Sequence, residues 1–242
     1  MTSLVIARDL AVETRLKPTD IELKSGELVA LVGPNGSGKT SLLHALAAIP
    51  PTTGSIAVDD SDLRGLPPAQ RQRMVGLLTA ERQIAWPILG RNLAKLGAAA
   101  PVAFETAVEQ LDLGSLLDRR VDRLSSGERA RLLLGRLLAA DPQLLLLDEP
   151  LANLDPYWQL SVMELLRQRA RRSDRATLLA IHDLGTAIRF ADRLLLMQRG
   201  SVVWDGAAGE LQNSREADRI FGAQWTGSAW ELTPTADPQS SR

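Results

Sequence analysis

The sequence predicts an α/β protein in which short buried strands alternate with helices. Two apolar runs, residues 28–32 (LVALV) and 144–147 (LLLL), have the length and composition of strands buried inside a sheet. The first run leads through a glycine-rich turn into a helical pattern over residues 40–48, and this order begins an α/β unit. Further along, residues 101–113 carry apolar side chains at the i, i+3, i+4, i+7 spacing of one helix face.

The other elements follow in order along the chain. Thr53-Gly54 predicts a turn before a strand at 55–58, and Pro67-Pro68 predicts the start of a short helix. No strand pattern occurs between about residues 88 and 140, which indicates a helical lobe, about residues 80–140, inserted into the α/β core. The last predicted elements are a helix at 127–140 that Asp141-Pro142 ends, a strand at 144–148, a helix at 156–172, a strand at 177–181, and a hairpin of 194–197 with 201–204. We expect one domain over residues 1–232 and a disordered polar tail over residues 233–242.

Composition excludes several classes of site. The chain has 242 residues, with 28 Lys and Arg against 29 Asp and Glu, and this balance does not indicate a nucleic-acid partner. It has no cysteine and only two histidines, His44 and His182, which excludes disulfides, thiolate metal sites and histidine-rich metal sites. The sequence contains neither a signal peptide nor an apolar stretch of about 18 residues, so we expect a cytoplasmic protein that reaches a membrane only through partners.

The glycine-rich turn predicts a phosphate site. Residues 33–40 (GPNGSGKT) fit G-x-x-x-x-G-K-[ST] between a predicted strand and a predicted helix. Glycines expose backbone N–H groups around phosphate oxygens, and the following helix directs its positive end at the same anion. Lys39 can reach the outer phosphates, and the Thr40 hydroxyl can ligate Mg²⁺. The predicted phosphate-binding residues are Gly33, Pro34, Asn35, Gly36, Ser37, Gly38, Lys39, Thr40 and Ser41.

Acidic residues and a histidine follow two other predicted strands. Asp148 and Glu149 stand at the carboxyl end of the 144–148 strand, where ligands bind in open α/β sheets. Asp148 is placed to hold Mg²⁺, and Glu149 is placed to polarise the attacking water. His182 follows the 177–181 strand and can hydrogen-bond the γ-phosphate from the same edge.

A second anion site is predicted at the start of the helix near residue 127. Ser125 and Glu128 have the S-x-x-E spacing of a capping box, and a capped helix N-terminus with small residues favours anions. The stretch 124–128 (LSSGE) also resembles the LSGGQ signature of ABC-transporter ATPases, with Ser126 in place of glycine and Glu128 in place of glutamine. Residues 152–155 (ANLD) resemble the D-loop of that family, and His182-Asp183 resembles its switch-histidine motif.

This resemblance implies a P-loop NTPase fold of the ABC ATPase type, with a RecA-like core sheet and an inserted α-helical lobe. It implies ATP and Mg²⁺ as ligands. It also implies a head-to-tail dimer in which the phosphate loop of one copy faces the signature of the other. The nucleotide-binding residues that it adds are Ser125, Ser126, Gly127, Glu128 and Asp155. Its other partners would be membrane permease subunits and, indirectly, a substrate-binding protein, which places the chain on the inner face of the plasma membrane.

The sequence departs from the family pattern at two places. Where the family has a glutamine that contacts the metal and relays to the membrane subunit, the best placement finds Ala80, with Glu81 or Gln83 as possible replacements. The family often has an aromatic residue near the N-terminus that stacks on adenine, and residues 10–17 (LAVETRLK) contain none. Base stacking must therefore come from elsewhere or be weak.

The resemblance extends to one group of transporters. Residues 81–87 (ERQIAWP), 220–222 (IFG) and 11–16 (AVETRL) look like ATPases that serve importers of iron chelates, haem or cobalamin. Four alternatives stay open. The chain could serve an exporter, or be a soluble ABC ATPase of DNA repair or translation, although it lacks their usual insertions. A P-loop kinase would leave residues 124–128 and His182 without a purpose. A non-hydrolysing regulatory subunit is suggested by Ala80 but not by Glu149 and His182.

Overall fold

A computed structural model of the chain describes residues 2–82, 87–211, 216–222, 224–226 and 230–231. Its strands are β1 (Ser3–Val12), β2 (Leu16–Lys24), β3 (Leu28–Val32), β4 (Thr53–Val58), β5 (Ser61–Asp62), β6 (Val75–Leu78), β7 (Leu144–Asp148), β8 (Ala176–Ala180), β9 (Arg193–Gln198), β10 (Ser201–Ala207), β11 (Gln224–Trp225) and β12 (Trp230–Glu231). Its α-helices are α1 (Lys39–Leu46), α2 (Pro68–Met74), α3 (Gly90–Lys95), α4 (Pro101–Gln110), α5 (Ser126–Ala140), α6 (Pro156–Ala170), α7 (Leu184–Phe190), α8 (Ala208–Leu211) and α9 (Glu216–Phe221).

The central sheet has the strand order β10-β9-β3-β8-β7-β6. Strands β9, β3, β8, β7 and β6 are parallel, and β10 closes one side as the antiparallel partner of β9. Every residue of β3, β7 and β8 is buried, because a parallel sheet covered on both faces needs apolar side chains in both directions. The carboxyl ends of these strands meet at one edge, and the loops after β3 and β7 therefore leave the sheet at the same edge, on either side of the end of β8.

A smaller antiparallel sheet, β2-β1-β4-β5, covers one face of the molecule. Leu10 and Leu23 from this sheet share a hydrophobic core with Leu42 and Leu46 of α1 and with Leu146 of β7. The helix α1 is consequently held between two sheets, and this packing determines where its N-terminus points. The turn of residues 13–15 between β1 and β2 lies close to that N-terminus.

Between β6 and β7 the described residues form α3, α4, α5 and two 3₁₀ turns (Gly114–Leu116 and Val121–Arg123). The described residues of this region also contain an isolated antiparallel β-bridge between Leu89 and Arg120. Leu93 and Leu132 from this region share a core with Leu145 and Leu147 on the other face of β7. Within the described part of the chain, no helix combines the length and apolar composition that crossing a bilayer requires.

Three predicted helices end earlier than expected, at Leu46, Gln110 and Ala170. Helix α4 ends because Asp112 adopts a left-handed φ of 47°, which cannot continue a right-handed helix. The predicted turn at Thr53-Gly54 is wrong, since both residues belong to β4. Gly54 has a φ of 84°, and an added Cβ there would lie 2.3 Å from the Asp9 carbonyl oxygen. Because Gly54 can adopt this angle, β4 continues alongside the register shift in β1, between Arg8 and Ala11, and does not form a turn there.

Candidate functional site

The loop of residues 33–38 joins β3 to α1 and takes its shape from glycines at two left-handed positions. Gly36 has a φ of 76° and Gly38 a φ of 106°. A Cβ on Gly38 would also lie 2.9 Å from the carbonyl oxygen of Arg15. Because only glycine adopts such angles without a steric penalty, the chain can turn tightly here and start α1 at Lys39.

Lys39 is almost fully buried beneath this loop. Its Nζ donates to the carbonyl oxygens of Gly33 at 2.7 Å and Pro34 at 3.2 Å, so the side chain curls back over the loop. Burial lowers the pKa of Lys39, while the negative charges of Glu149 and Asp148 act in the opposite direction. The ammonium group is thus a poorly solvated cation at the N-terminal end of α1, where an anion would gain most from it.

A cavity of about 530 Å³ opens over the loop. It is lined by Thr14, Arg15, Asn35, Gly36, Ser37, Gly38, Lys39, Thr40, Ser41, Glu149, Arg199 and Gly200. The predicted residues 35–41 therefore face one cavity, whereas Gly33 and Pro34 lie behind it and contribute carbonyl oxygens to Lys39. The cavity is of the size that proteins use for ligands, and its walls are polar.

Two oxygen donors meet beside the cavity. Thr40 Oγ1 donates a hydrogen bond of 2.6 Å to Oδ2 of Asp148, which is 2% exposed at the end of β7. A hydroxyl and a carboxylate at this separation are hard oxygen ligands of the kind that Mg²⁺ prefers. The donor set therefore fits a small divalent cation that also binds phosphate oxygens.

Glu149 and His182 are brought together from the ends of two adjacent strands. The Nε2 atom of His182 lies 2.5 Å from Oε1 of Glu149, and both side chains are partly exposed. Glu149 has an unusual left-handed φ of 50°, and its N–H donates to the carbonyl oxygen of Ala180 on β8. This turn is what directs the carboxylate toward the cavity and toward His182.

The N-terminus of α5 forms the predicted capping box. Glu128 N donates to Ser125 Oγ at 3.2 Å, and Ser125 N donates to the Glu128 carboxylate at 2.8 Å. The bond from Ser125 N, followed by the side-chain bond from Arg119, lowers the pKa of Glu128. None of Ser125, Ser126, Gly127 and Glu128 lines the cavity of its own chain. Asp155 also lies off the cavity, where its carboxylate caps α6 by accepting from Trp158 N at 2.9 Å.

The geometry of residues 33–40 beside Asp148 and Glu149 is that of a nucleotide site, and comparison with known proteins gives its family. The model of the family described as "ABC transporter" matches residues 16–152, more than half of the chain. The chain belongs to the ABC transporter family. It is therefore an ATP-binding protein that hydrolyses ATP to power a membrane transporter.

Curated relatives cover nearly all of this ABC ATPase. A hemin import ATP-binding protein of Bordetella avium is 31% identical over 90% of the chain and 92% of its own length. A hemin import ATP-binding protein of Rhodopseudomonas palustris is 36% identical over 85% of the chain and 82% of its own length. A phosphonates import ATP-binding protein of Chromohalobacter salexigens is 31% identical over 95% of the chain and 92% of its own length.

Solved structures confirm the predicted fold class. One is cbiO1 from Clostridium perfringens, part of the ABC transporter complex cbiONQ, with a TM-score of 0.75 at 22% identity, covering 92% of this chain and 95% of that one. Another is the dimeric post-hydrolysis state of the ATP-binding cassette MJ0796 with ADP and Pi, with a TM-score of 0.72 at 23% identity, covering 84% of this chain and 98% of that one. The chain thus has the ABC ATPase fold, a P-loop NTPase core with mixed sheets and helices.

The sequence did not single out three arginines at the site of this ABC ATPase. Arg15 and Arg199 line the cavity beyond the phosphate loop, in the β1–β2 and β9–β10 turns, and both are exposed. Arg82 lies under the turn after β7 and donates to its carbonyl oxygens. Sequence motifs do not reveal these arginines, because their positions at the site depend on strand pairing and not on a fixed spacing from Lys39. Ala80 is exposed, and Gln83, one suggested replacement for the missing glutamine, lies outside the described residues.

Proposed function

We propose that two copies of this chain bind two MgATP between them and hydrolyse them to drive the import of hemin or a related metal chelate. The observation that carries the hydrolytic part is the contact of Glu149 with His182, at the same sheet edge as the contact of Thr40 with Asp148. A proton acceptor, Glu149, and two oxygen ligands for a metal, from Thr40 and Asp148, thus lie on one side of the phosphate loop. This is the set of groups that phosphoryl transfer to water requires.

Lys39 and the loop N–H groups are the residues we assign to the triphosphate. Lys39 can exchange its two carbonyl partners, Gly33 and Pro34, for phosphate oxygens without leaving its buried position. Asn35, Ser37 and Ser41 also line the cavity. Thr40 and Asp148 would hold Mg²⁺, which neutralises phosphate charge when it is bound.

Glu149 is the group to which we assign the proton of the attacking water. Its carboxylate lines the cavity and is held on one side by the ring of His182. His182 orients this carboxylate and can turn its Nε2 toward the γ-phosphate as ATP enters. The left-handed turn at Glu149 supports this role, because strained backbone of this kind is concentrated at functional sites.

A second copy of the chain would complete the site. The N–H groups of Ser126 and Gly127 lie in the first turn of α5 and make no hydrogen bond among the described residues. They lie away from the cavity of their own chain, so a nucleotide that uses them must come from a partner copy. The head-to-tail arrangement satisfies both conditions, with Ser125 and Glu128 holding the helix end in place.

The transport role follows from the family and the named relatives. ABC ATPases work with membrane permease components, so we place the chain on the inner face of the plasma membrane, against two permease subunits and indirectly a substrate-binding protein. Residues 1–232 would be one ABC ATPase domain, and the lobe of about residues 80–140 would carry its motion to the permease. Hemin is favoured because relatives that cover most of the chain carry that name, and iron-siderophore or cobalamin import is the nearest extension.

Glu149→Gln tests the hydrolytic mechanism, with the exposed Glu164→Gln of α6 as a matched control. We expect kcat for ATP to fall about 100-fold or more, because a positioned base contributes about 10² to 10⁴ in rate. The dissociation constant for MgADP should stay close to that of the parent. Steady-state ATPase assays and calorimetry measure both quantities. Undiminished turnover in Glu149→Gln, or equal losses in the two variants, would remove Glu149 from this role.

Growth assays test the transported substrate. A strain of the source organism that lacks this chain should not grow with hemin as its iron source. The parent gene should restore growth, and the Glu149→Gln gene should not. Phosphonate is the second candidate, because a phosphonates import protein also matches nearly the whole chain. Normal growth on hemin together with failure on phosphonate as the phosphorus source would select it instead.

A further inference from the structure

Arg82 makes an unusual set of contacts under the catalytic turn. Its Nη1 donates to the carbonyl oxygen of Ala152 at 3.0 Å, and its Nη2 donates to those of Asp148, at 3.4 Å, and Glu149. The planar guanidinium therefore spans the backbone from Asp148, the last residue of β7, to Ala152 in the turn that follows. Arg82 itself comes from the segment after β6, which leads into the helical region.

The turn that Arg82 spans needs such support. Glu149 and Asn153 are non-glycine residues with left-handed φ angles of 50° and 66°. Such angles persist only when surrounding contacts hold them. Within the turn, Ala152 N donates back to the Glu149 carbonyl oxygen at 3.1 Å. Arg82 joins that carbonyl to the Ala152 carbonyl from outside, so the guanidinium holds the backbone at Glu149 and immediately before Asn153.

The charge of Arg82 is also placed beside the acidic pair. Arg82 is half-buried, and this burial lowers the pKa of Arg82, while the negative charges of Glu149 and Asp148 act in the opposite direction. A guanidinium stays protonated in proteins and has no lone pair for a metal. Arg82 consequently cannot replace, as a metal ligand, the glutamine that the family pattern places at Ala80. It acts on the backbone of the two carboxylate residues instead.

We propose that Arg82 is a positioning residue for ATP hydrolysis, which holds the turn of residues 148–152, and with it the Glu149 carboxylate, in the reactive geometry. It also joins this turn to the segment that follows β6. The proposal rests on the assignment of Glu149 as the base. Arg82 thus connects the segment after β6 to the proposed catalytic turn through hydrogen bonds to backbone carbonyl oxygens, and no metal ligand is involved.

Arg82→Ala and Arg82→Lys test the proposal, with Arg193→Ala as a matched control. Arg193 is also a half-buried arginine that donates to a backbone carbonyl oxygen, that of Glu22 at 2.9 Å, but it begins β9 at the opposite edge of the sheet. We expect Arg82→Ala to lower kcat about 10- to 100-fold, since a shift of about 1 Å in a catalytic group has this effect, with KM for ATP changed by less than about twofold. Arg82→Lys should recover part of the loss, because an ammonium reaches one carbonyl oxygen but cannot span two.

A double variant separates positioning from stability. If Arg82 acts through Glu149, adding Arg82→Ala to Glu149→Gln should reduce the residual kcat by less than about twofold. Arg193→Ala should lower the unfolding temperature without lowering kcat. A parental kcat in both Arg82 variants, or a loss that is fully additive with Glu149→Gln, would overturn the proposal. Full activity of Glu149→Gln alone would instead overturn the proposed function, so the two failures are distinguishable.

Discussion

The close packing of the phosphate loop against β9 makes Gly33→Ala a sensitive test of the site. A Cβ on Gly33 would lie 2.4 Å from the carbonyl oxygen of Met197 and 2.8 Å from Ser37 Oγ. The backbone angle of Gly33 is not left-handed, so the effect of alanine is purely steric. To reach even 3.0 Å from the Met197 oxygen, the loop and β9 must separate by at least 0.6 Å.

This displacement determines how much stability and how much nucleotide affinity Gly33→Ala should lose. Overpacking of a well-packed region costs about 1–3 kcal/mol in the free energy of unfolding. A 0.6 Å shift also moves the loop N–H groups off their phosphate partners, and losing one hydrogen bond to a charged group costs about 1.5–3 kcal/mol, at least about tenfold in Kd. We therefore expect Gly33→Ala to raise the Kd for MgADP about tenfold or more, measured by titration calorimetry, and urea unfolding should report the loss of stability.

Gly36→Ala is the matched control. Gly36 has a φ of 76°, yet no atom lies within 4 Å of an added Cβ. Alanine there costs about 1–2 kcal/mol of backbone energy but displaces no neighbour. Its Kd for MgADP should rise less than about threefold. The steric argument would be refuted if Gly33→Ala bound MgADP within about twofold of the parent, or if Gly36→Ala lost more affinity than Gly33→Ala.

Two further predictions concern the edges of the nucleotide site. Glu128→Gln removes a negative charge from the α5 N-terminus but keeps the capping box. The loss of about 1 kcal/mol of repulsion between this carboxylate and the partner's nucleotide should tighten ATP-dependent dimerisation about fivefold. Sedimentation of the variant in the Glu149→Gln background, which slows hydrolysis, measures the dimerisation constant. A weaker dimer would contradict the proposed cross-subunit contact. Arg15→Ala should raise the Kd for ATP about threefold, because the guanidinium can stack on the base, and should leave the Kd for inorganic triphosphate unchanged by calorimetry. Equal losses for both ligands would instead place Arg15 at the phosphates.

Short apolar runs in the sequence predicted the strands that are buried on both faces of the sheet. Residues 28–32 and 144–148 coincide with β3 and β7, because a strand covered on both sides must be apolar throughout. Strands β1 and β2 were not predicted. They pair antiparallel with register shifts and carry exposed charged side chains, including those of Arg8 and Lys17, so they lack a regular apolar alternation.

The same contrast applies to the groups proposed for catalysis. The sequence predicted five site residues because each lies at or beside the end of a strand or of the glycine loop: Lys39, Thr40, Asp148, Glu149 and His182. Parallel strands place such positions at one edge of the sheet. The contact between Glu149 and His182 is a consequence of β7 and β8 being neighbours, which strand order alone decides. Arg82 has no motif around it, since its partners are backbone carbonyl oxygens that any sequence can supply.

The sequence by itself determined that this protein is an ATPase, because a phosphate loop and the carboxylates proposed for Mg²⁺ and for the attacking water need particular side chains at short, constant spacings. Tertiary structure decided which groups surround that chemistry. Arg15, Arg82 and Arg199 reach the site from three turns that are distant in sequence and adjacent only after the sheets form. Their positions depend on strand pairing and packing, which act between residues far apart along the chain and leave no local signature.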